Sequence, residues 1–359
     1  MTFKRKMIAL FVVPALFACG CGSDSGKTGK KVNKITDVPE TDAPIVLSPE
    51  MQEKLGHYIS EEWKCGMDKI TSNSSSDFMF AIQSDTHFSV NNKDHHANNL
   101  KALSHFIPLK FYANLGDYIK GYFKNEIGRI ENTPDKTMQS LKEITSRYLE
   151  DANCPVLVTF GNHDTNQLWC KNYGRADEQL TKDDHYREVI SKLRVHNGSM
   201  MTTDKESNYY YADFSDDGIR VIMLNCADGN YENSYDSTAI FGDRQVEWFK
   251  NEALNTASHV LIMTHIPLIK DFPGNDGCDV KNGILVRAAV EEFIKNGGKF
   301  IAYFNGHTHN QADLTDENGR LHISFKNGAH IAEVVKINTK KRVIETVGLG
   351  NVENRKYTY

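Results

Sequence analysis

Apolar and polar positions alternate in short bursts along most of the chain. "DFMFAIQSD" (Asp77–Asp85), "KFYANLGD" (Lys110–Asp117) and "PVLVTFGN" (Pro155–Asn162) are short apolar runs, and each predicts a strand. Between them, "ANNLKALSHFI" (Ala97–Ile107) and "TMQSLKEITSRYLE" (Thr137–Glu150) carry apolar residues at helical spacing, as does "EMQEKLGHYISEEWKCGM" (Glu50–Met67) ahead of the first strand. Residues 165–206 break the rhythm. They are polar, contain Trp169, Tyr173, Arg175, His185 and Tyr186, predict one helix around 178–194, and read as a cap-like insertion. "NYYYADF" and "GIRVIMLN" follow as a hairpin about Ser215-Asp216-Asp217. Then come a helix at "DRQVEWFKNEAL", a strand at "HVLIMTH", a helix at "LVRAAVEEFIKNG" and a strand at "KFIAYFNGH". A final run of β-strands, 320–349, has turns at Asn327-Gly328 and near Asn338. Strand–helix alternation of this kind predicts an α/β domain with parallel pairing over residues 47–359, without repeats or a second domain.

The strands share a habit: they end in metal-ligating residue types. "QSDTHF" places Asp85 and His87 two apart, "NLGDY" ends on Asp117, and "TFGNHD" supplies Asn162, His163 and Asp164. "MTHIP" adds His265, and "YFNGHTHNQ" adds His307 and His309. In extended backbone, residues two apart point to the same face, so His307 and His309 are expected to aim two imidazoles the same way. Ligands of open parallel sheets bind beyond the carboxyl ends of the strands. Five strand ends therefore converge on one edge. Taken singly, Asp85 and Asp117 could be caps or turn formers, Asn162 a turn residue beside Gly161, and His265 a core histidine. Their joint order favours one shared site.

The ordered set D-T-H, G-D-Y, G-N-H-D, T-H and G-H-T-H resembles the calcineurin-like metallophosphoesterase superfamily over residues 78–335. The resemblance implies a four-layer α/β/β/α sandwich with the metal site at the carboxyl ends of strands. It implies two divalent ions, one held by Asp85, His87, Asp117 and His309, the other by Asn162, His265 and His307, with Asp117 bridging both. It implies phosphoric ester hydrolysis by a metal-bridging hydroxide, with His163 beside the scissile phosphate and Asp164 placed where it could orient that histidine. The donor set, free of thiolate, suits Mn²⁺, Fe, Zn²⁺ or Co²⁺. Two such ions about 3.5–4 Å apart acidify a bridging water and clamp phosphoryl oxygens. Gly116, Gly161 and Gly306 each precede a ligand, where a missing Cβ lets backbone turn tightly. Two departures narrow the family. Purple acid phosphatases carry a metal-binding tyrosine where Lys120 stands here, and a glycine where His87 stands. Since the sequence ends soon after its last strands, the separate C-terminal domain of 5′-nucleotidases is expected to be absent.

Composition changes the picture mainly at the N-terminus. Lys4, Arg5 and Lys6 precede "MIALFVVPALFA" (Met7–Ala18), an apolar core interrupted by Pro14 and too short for the roughly 20 residues of a membrane span. "LFAC" resembles a bacterial lipobox, so residues 1–18 are expected to be a lipoprotein signal peptide and Cys19 the lipidated residue, with Cys21 a poorer second candidate. An ordinary cleaved secretory signal is the alternative. Residues 20–46, rich in Gly, Ser, Lys and Asp, read as part of a flexible tether, 19–46, that leads from the lipid to the domain. "GSDSGKT" within it has the wrong spacing for a phosphate-binding loop. The expected location is the bacterial envelope, periplasmic or cell-surface. Removing Lys4, Arg5 and Lys6 takes the formal charge from -5 to -8, which speaks against nucleic-acid partners and against a nuclease of the superfamily. The cysteines show no zinc-site spacing, and some could pair outside the cytoplasm.

Substrate contacts are expected from Lys120, His95 and His96, with Trp169, Tyr173 and Arg175 as wall or cap, or else as packing for the insertion. With few cations near the motifs and a long aromatic insertion, phosphodiesters are expected ahead of monoesters. A phosphomonoesterase on the same site is one alternative. A binding lipoprotein that holds metals without chemistry is another.

Overall fold

The structure, a computed structural model, describes Gly66, Lys69, Ile70 and residues 77–359, apart from 90–103, 105–106, 122, 125–129, 132–133, 168–169, 171–173, 176–177, 230–238 and 329–330. The signal segment, the tether and the helices expected at 50–67 and 97–107 lie wholly or almost wholly outside the described residues.

Two mixed sheets organise the rest. The first has strand order β15-β14-β13-β1-β2-β5, in which β1 (Phe78–Gln83), β2 (Tyr112–Asn114) and β5 (Val156–Val158) run parallel. On the far side of β1, β13 (Ala332–Asn338), β14 (Val343–Leu349) and β15 (Arg355–Thr358) pair antiparallel. Apart from a two-stranded pair, β3 (Phe123–Lys124) with β4 (Ile130–Glu131), the remaining strands form the second sheet, from β11 (Ala312–Thr315) at one edge to β6 (Met201–Thr203) at the other, in the order β11-β12-β10-β9-β8-β7-β6. Its parallel centre is β8 (Ile219–Met223), β9 (His259–Met263), β10 (Lys299–Asn305) and β12 (Leu321–Ser324). The expected hairpin forms between β7 (Tyr210–Phe214) and β8, turning through Ser215–Asp217.

β9 shows why its sequence is apolar throughout. Leu261 and Met263 join the core between the sheets, with Phe80 of β1 and Val334 of β13. Val260 and Ile262 face the other way, into a second core with Val286, Val290 and Phe249. A strand buried on both faces cannot alternate with polar residues. Each of these side chains contributes about 1.5–3 kcal/mol on burial. In β10 the alternation slips: Phe300 and Tyr303 face the helices while Ile301, Ala302 and Phe304 face the other sheet. The pairing register with β9 shifts between Phe300 and Tyr303, as at a bulge.

Helices close both outer faces. α1 (Pro134–Asp151) starts with proline, whose missing N–H is harmless there, and buries the stripe Thr137, Leu141, Ile144 and Tyr148. The helix expected around 178–194 runs instead as α2 (Lys182–His185), a π-helical turn (Tyr186–Ile190) and α3 (Ser191–Asn197). It starts late because Leu180 N–H donates to the Asn166 side chain and Thr181 forms a capping box with Asp184. The second sheet is covered by α4 (Asp243–Trp248), its π-helical continuation Phe249–Ala253, and α5 (Gly283–Lys295). Four layers result, α/β/β/α.

The run of strands expected over 320–349 forms but divides between the sheets, because β11 (Ala312–Thr315) and β12 belong to the second and β13–β15 to the first. The chain crosses through Asn327-Gly328, and Gly328 N–H donates to Ser84 O beside the end of β1.

Candidate metal centre

The motif residues lie in the loops just past their strands. β1 ends at Gln83, before Asp85 and His87; β10 ends at Asn305, before His307 and His309. The backbone there is left-handed rather than extended: φ is +50° at Asp85, +47° at His87, +50° at Asp117, +66° at His307 and +57° at His309. Five of the seven candidate ligands thus occupy a region uncommon for residues other than glycine, at about 1–3 kcal/mol each. This corrects the same-face picture of His307 and His309. The two imidazoles serve opposite ends of the site: His307 Nδ1 lies 3.1 Å from Asn162 Oδ1, and His309 Nε2 lies 3.2 Å from Asp85 Oδ1.

All seven candidate ligands are brought together. Ligand atoms of Asp85, His87 and His309 lie within 4.8 Å of one another, as do those of Asp85, Asp117 and His265, and of His87, Asp117 and His163. His265 Nε2 stands 3.3 Å from Asp117 Oδ2 and 3.2 Å from Asn162 Oδ1. Its Nδ1 donates to Leu115 O at 2.8 Å, which fixes the tautomer and leaves Nε2 facing the carboxylates. His163 borders the cluster, its ring 4.7 Å from that of His87 and nearly perpendicular, with Nε2 3.9 Å from Asp117 Oδ2. Unlike Asp85, Asp117 and His265, it keeps part of its ring exposed.

The loops around Asp117 and Asn162 bind each other reciprocally. His163 N–H donates to Asp117 Oδ1, while the Asp164 carboxylate accepts from the amides of Asp117, Gly161 and Ile119 at 2.7, 2.7 and 3.0 Å. Asp164 is therefore a brace for the loop that carries Asp117, where the sequence suggested a partner for His163. Gly116, at φ +95°, makes the tight turn expected, whereas Gly161 and Gly306 are needed for close approach. A Cβ on Gly161 would lie 2.1 Å from Asp117 Oδ1, and one on Gly306 would lie 1.9 Å from Ser84 Oγ.

Electrostatics follow from this crowding. Burial opposes ionisation of Asp117, but His265 and His163 overcome it and hold its carboxyl well below the usual range. Burial likewise opposes charge on His265, but Asp117 and Asp85 hold it well above its ordinary value. Asp85 is lowered against burial, chiefly by His265, while burial brings His87 down to about 4. Burial and Asp117 push Asp164 up, against the amides of Gly161 and Ile119. Both of its oxygens face N–H donors, however, so a protonated form would set its O–H against an amide hydrogen.

The proposed substrate residues are placed less closely. Lys120 sits half-buried in the loop after Asp117, its N–H bonded to Phe88 O. Arg175 pairs with Glu178 three residues on. His95, His96, Trp169 and Tyr173 lie outside the described residues. Cys154 and Cys226 are free thiols, and among the described residues no disulfide forms. Sequence reading missed the supports: Ser84, whose hydroxyl donates to Asp85 Oδ2; Asn114, which accepts from Gly116 N–H; and His185, bonded to Asp164 O. Only Asn114 carried a signal, as a polar residue within an apolar strand.

The residues fit divalent ions. His87 Nδ1 is buried without a hydrogen-bond partner, Asp85 Oδ1 has only the imidazole of His309 close by, and the converging donors are carboxylate, imidazole and amide oxygen. Comparison with solved structures finds a dimetal phosphatase from Danio rerio at 14% identity and TM-score 0.48, over 79% of this chain and 100% of that one. A 5′-nucleotidase from Candida albicans follows at 16% and 0.44, over 73% of this chain and 48% of its own. The calcineurin-like phosphoesterase YfkN from Bacillus subtilis follows at 11% and 0.36, over 77% and 92%. A search of curated proteins finds no match. The family model described as calcineurin-like phosphoesterase matches residues 78–311, well over half of the sequence and every motif from Asp85 to His309, and the chain belongs to that family.

Proposed function

We propose that the protein is a metal-dependent phosphoesterase that uses two divalent ions and takes phosphodiesters ahead of monoesters. The observation that carries this reading is the partly exposed His163 beside, but at the rim of, a buried donor cluster that shares Asp85, His87 and Asp117 among overlapping triads. A purely structural site has no use for it. Asp85, His87, Asp117 and His309 would hold one ion, and Asp117, Asn162, His265 and His307 the other. When bound, such ions supply Lewis acidity at a phosphoryl oxygen and a nucleophile at neutral pH. Asp117 and Asp85, both held ionised, would receive them, and His265 would have to lose the Nε2 proton that the two carboxylates favour in order to bind. His163 is the group that would stabilise the charge developing on the leaving oxygen or donate a proton to it. The small number of cations near the motifs in the sequence supports the diester preference.

Chelator-treated protein should lose activity on bis-p-nitrophenyl phosphate and regain it with Mn²⁺. It should cleave that diester faster than p-nitrophenyl phosphate; the reverse order would overturn the substrate claim, and full activity without metal would overturn the mechanism. His163→Ala should lower turnover by roughly 10²–10⁴ with metal retained. We further propose that Cys19 carries lipid and anchors the protein in the bacterial envelope, supported by "LFAC" after a short apolar core. Cys19→Ala should release it from membranes; failure to label the wild type with fatty acid would indicate an ordinary secretory signal.

A further inference from the structure

His185 lies outside every motif, yet it fills the concave side of the loop that carries Asn162 and His163. Its ring packs edge-on against Phe160, 4.5 Å between centroids, at one end of that loop. At the other end its Nε2 is 2.9 Å from Asp164 O. The residue is 0% exposed. Two features of the helix make this placement firm. The Thr181–Asp184 capping box sets where α2 begins, and so puts His185 one turn in. Asn166, at φ +48°, ties the same two segments together independently: its side chain accepts from Leu180 N–H and donates to Glu178 O, and its own N–H donates to His163 O.

We propose that His185 is a positioning residue for the metal centre, whose Nε2–H holds the Asp164 carbonyl and with it the turn that presents Asn162 and His163. The consequence passes through Asp164. Its carbonyl is held by His185 and its carboxylate holds the amides of Asp117, Ile119 and Gly161, so one residue links α2 to both central ligand loops. The bond requires a proton on Nε2. Nδ1 faces a second carbonyl, Thr181 O at 3.1 Å, which also accepts from the amide of His185. Burial favours the neutral ring and brings His185 down to about 4, against the pull of both carbonyls.

The inference rests on the phosphoesterase reading, and the test separates the two. Full-length, chelator-treated protein is titrated with Mn²⁺, followed by the electron paramagnetic resonance signal of the free ion, and kcat and KM are measured on bis-p-nitrophenyl phosphate. His185→Leu keeps the volume but removes the donor. It should bind Mn²⁺ about 10–100-fold more weakly and lower kcat with KM little changed, as for loss of a group behind the ligands. His185→Gln, which restores a donor at a similar reach, should recover most of both. Val189→Ala, a core truncation in the following turn, should lower stability yet titrate like the wild type. Wild-type Mn²⁺ binding by His185→Leu, or an equal loss in Val189→Ala, would overturn the positioning role alone. Absence of Mn²⁺ binding by the wild-type protein would instead overturn the phosphoesterase reading.

Discussion

Adding one methyl group at Gly161 tests the centre most directly. The Cβ would sit 2.1 Å from Asp117 Oδ1, 2.6 Å from Asp117 N and 2.8 Å from Asp117 Cγ, whereas ordinary contact begins near 3.4 Å. The carboxylate would have to retreat by the difference between 3.4 and 2.1, about 1.3 Å. It is not a flexible end free to swing away, because Oδ1 accepts from His163 N–H and the Asp117 amide is held at 2.7 Å by Asp164. Metal sites tolerate displacements of only about 0.2 Å, and misplacement of a reacting group by about 1 Å costs on the order of 10²-fold in rate. Gly161→Ala should therefore lose Mn²⁺ affinity and turnover by at least about 100-fold, with stability lowered by roughly 1–3 kcal/mol from overpacking. Gly283→Ala is the control, since its Cβ would meet nothing closer than 3.7 Å. The assay is calorimetric titration of metal-free protein with Mn²⁺ beside a urea unfolding curve. Wild-type affinity in a folded Gly161→Ala variant would refute the role of that glycine and the tightness of the Asp117 loop.

Other outcomes follow from the same contacts. Asp164→Asn replaces one accepting oxygen by an N–H₂ group facing an amide, so it should lower stability by about 1–3 kcal/mol in urea unfolding; a more stable variant would mean that repulsion from Asp117 dominates. His185 is held at about 4 in the fold against the ordinary 6.5, so the unfolded chain takes up a proton that the native state refuses between those values. Its contribution to stability should fall by about 3 kcal/mol as pH drops from 6.5 to 4 and level off below, read as the difference in unfolding free energy between metal-free wild type and His185→Gln. Burial pushes the Cys154 thiol up to about 12, so iodoacetamide should leave it unmodified in native protein at pH 8 and label it in urea, checked by peptide mass spectrometry; rapid native labelling would contradict that burial.

The strands were legible because their apolar runs are long and end abruptly, and the order of the ligand motifs was legible because each sits at such an end. The partition of the last strands was not. β12 and β13 read alike in sequence, and only the crossing at Asn327-Gly328 assigns them to different sheets. Nor was the left-handed backbone at Asp85, His87 and Asp117 visible, since Asp and His tolerate it without announcing it as glycine would. Asp164 was read from its neighbour in sequence, His163, whereas its carboxylate reaches back to residues 117 and 119. His185 could not be found at all, because a histidine that bonds a backbone carbonyl leaves no pattern at any spacing.

The left-handed ligands bear on how such a protein would decay over evolutionary time. At Asp85, His87, Asp117, His307 and His309 the backbone conformation suits glycine, while the side chains converge on the candidate metal centre, where Asp85 and Asp117 also accept hydrogen bonds from their neighbours. A duplicated copy relieved of its chemistry would gain roughly 1–2 kcal/mol of conformational ease at each position by drifting to glycine. Selection for folding alone would favour that drift and would leave the apolar strands untouched. Descendants that kept the sandwich as a scaffold for something else should therefore show glycine or asparagine at these places, first at His87, His307 and His309.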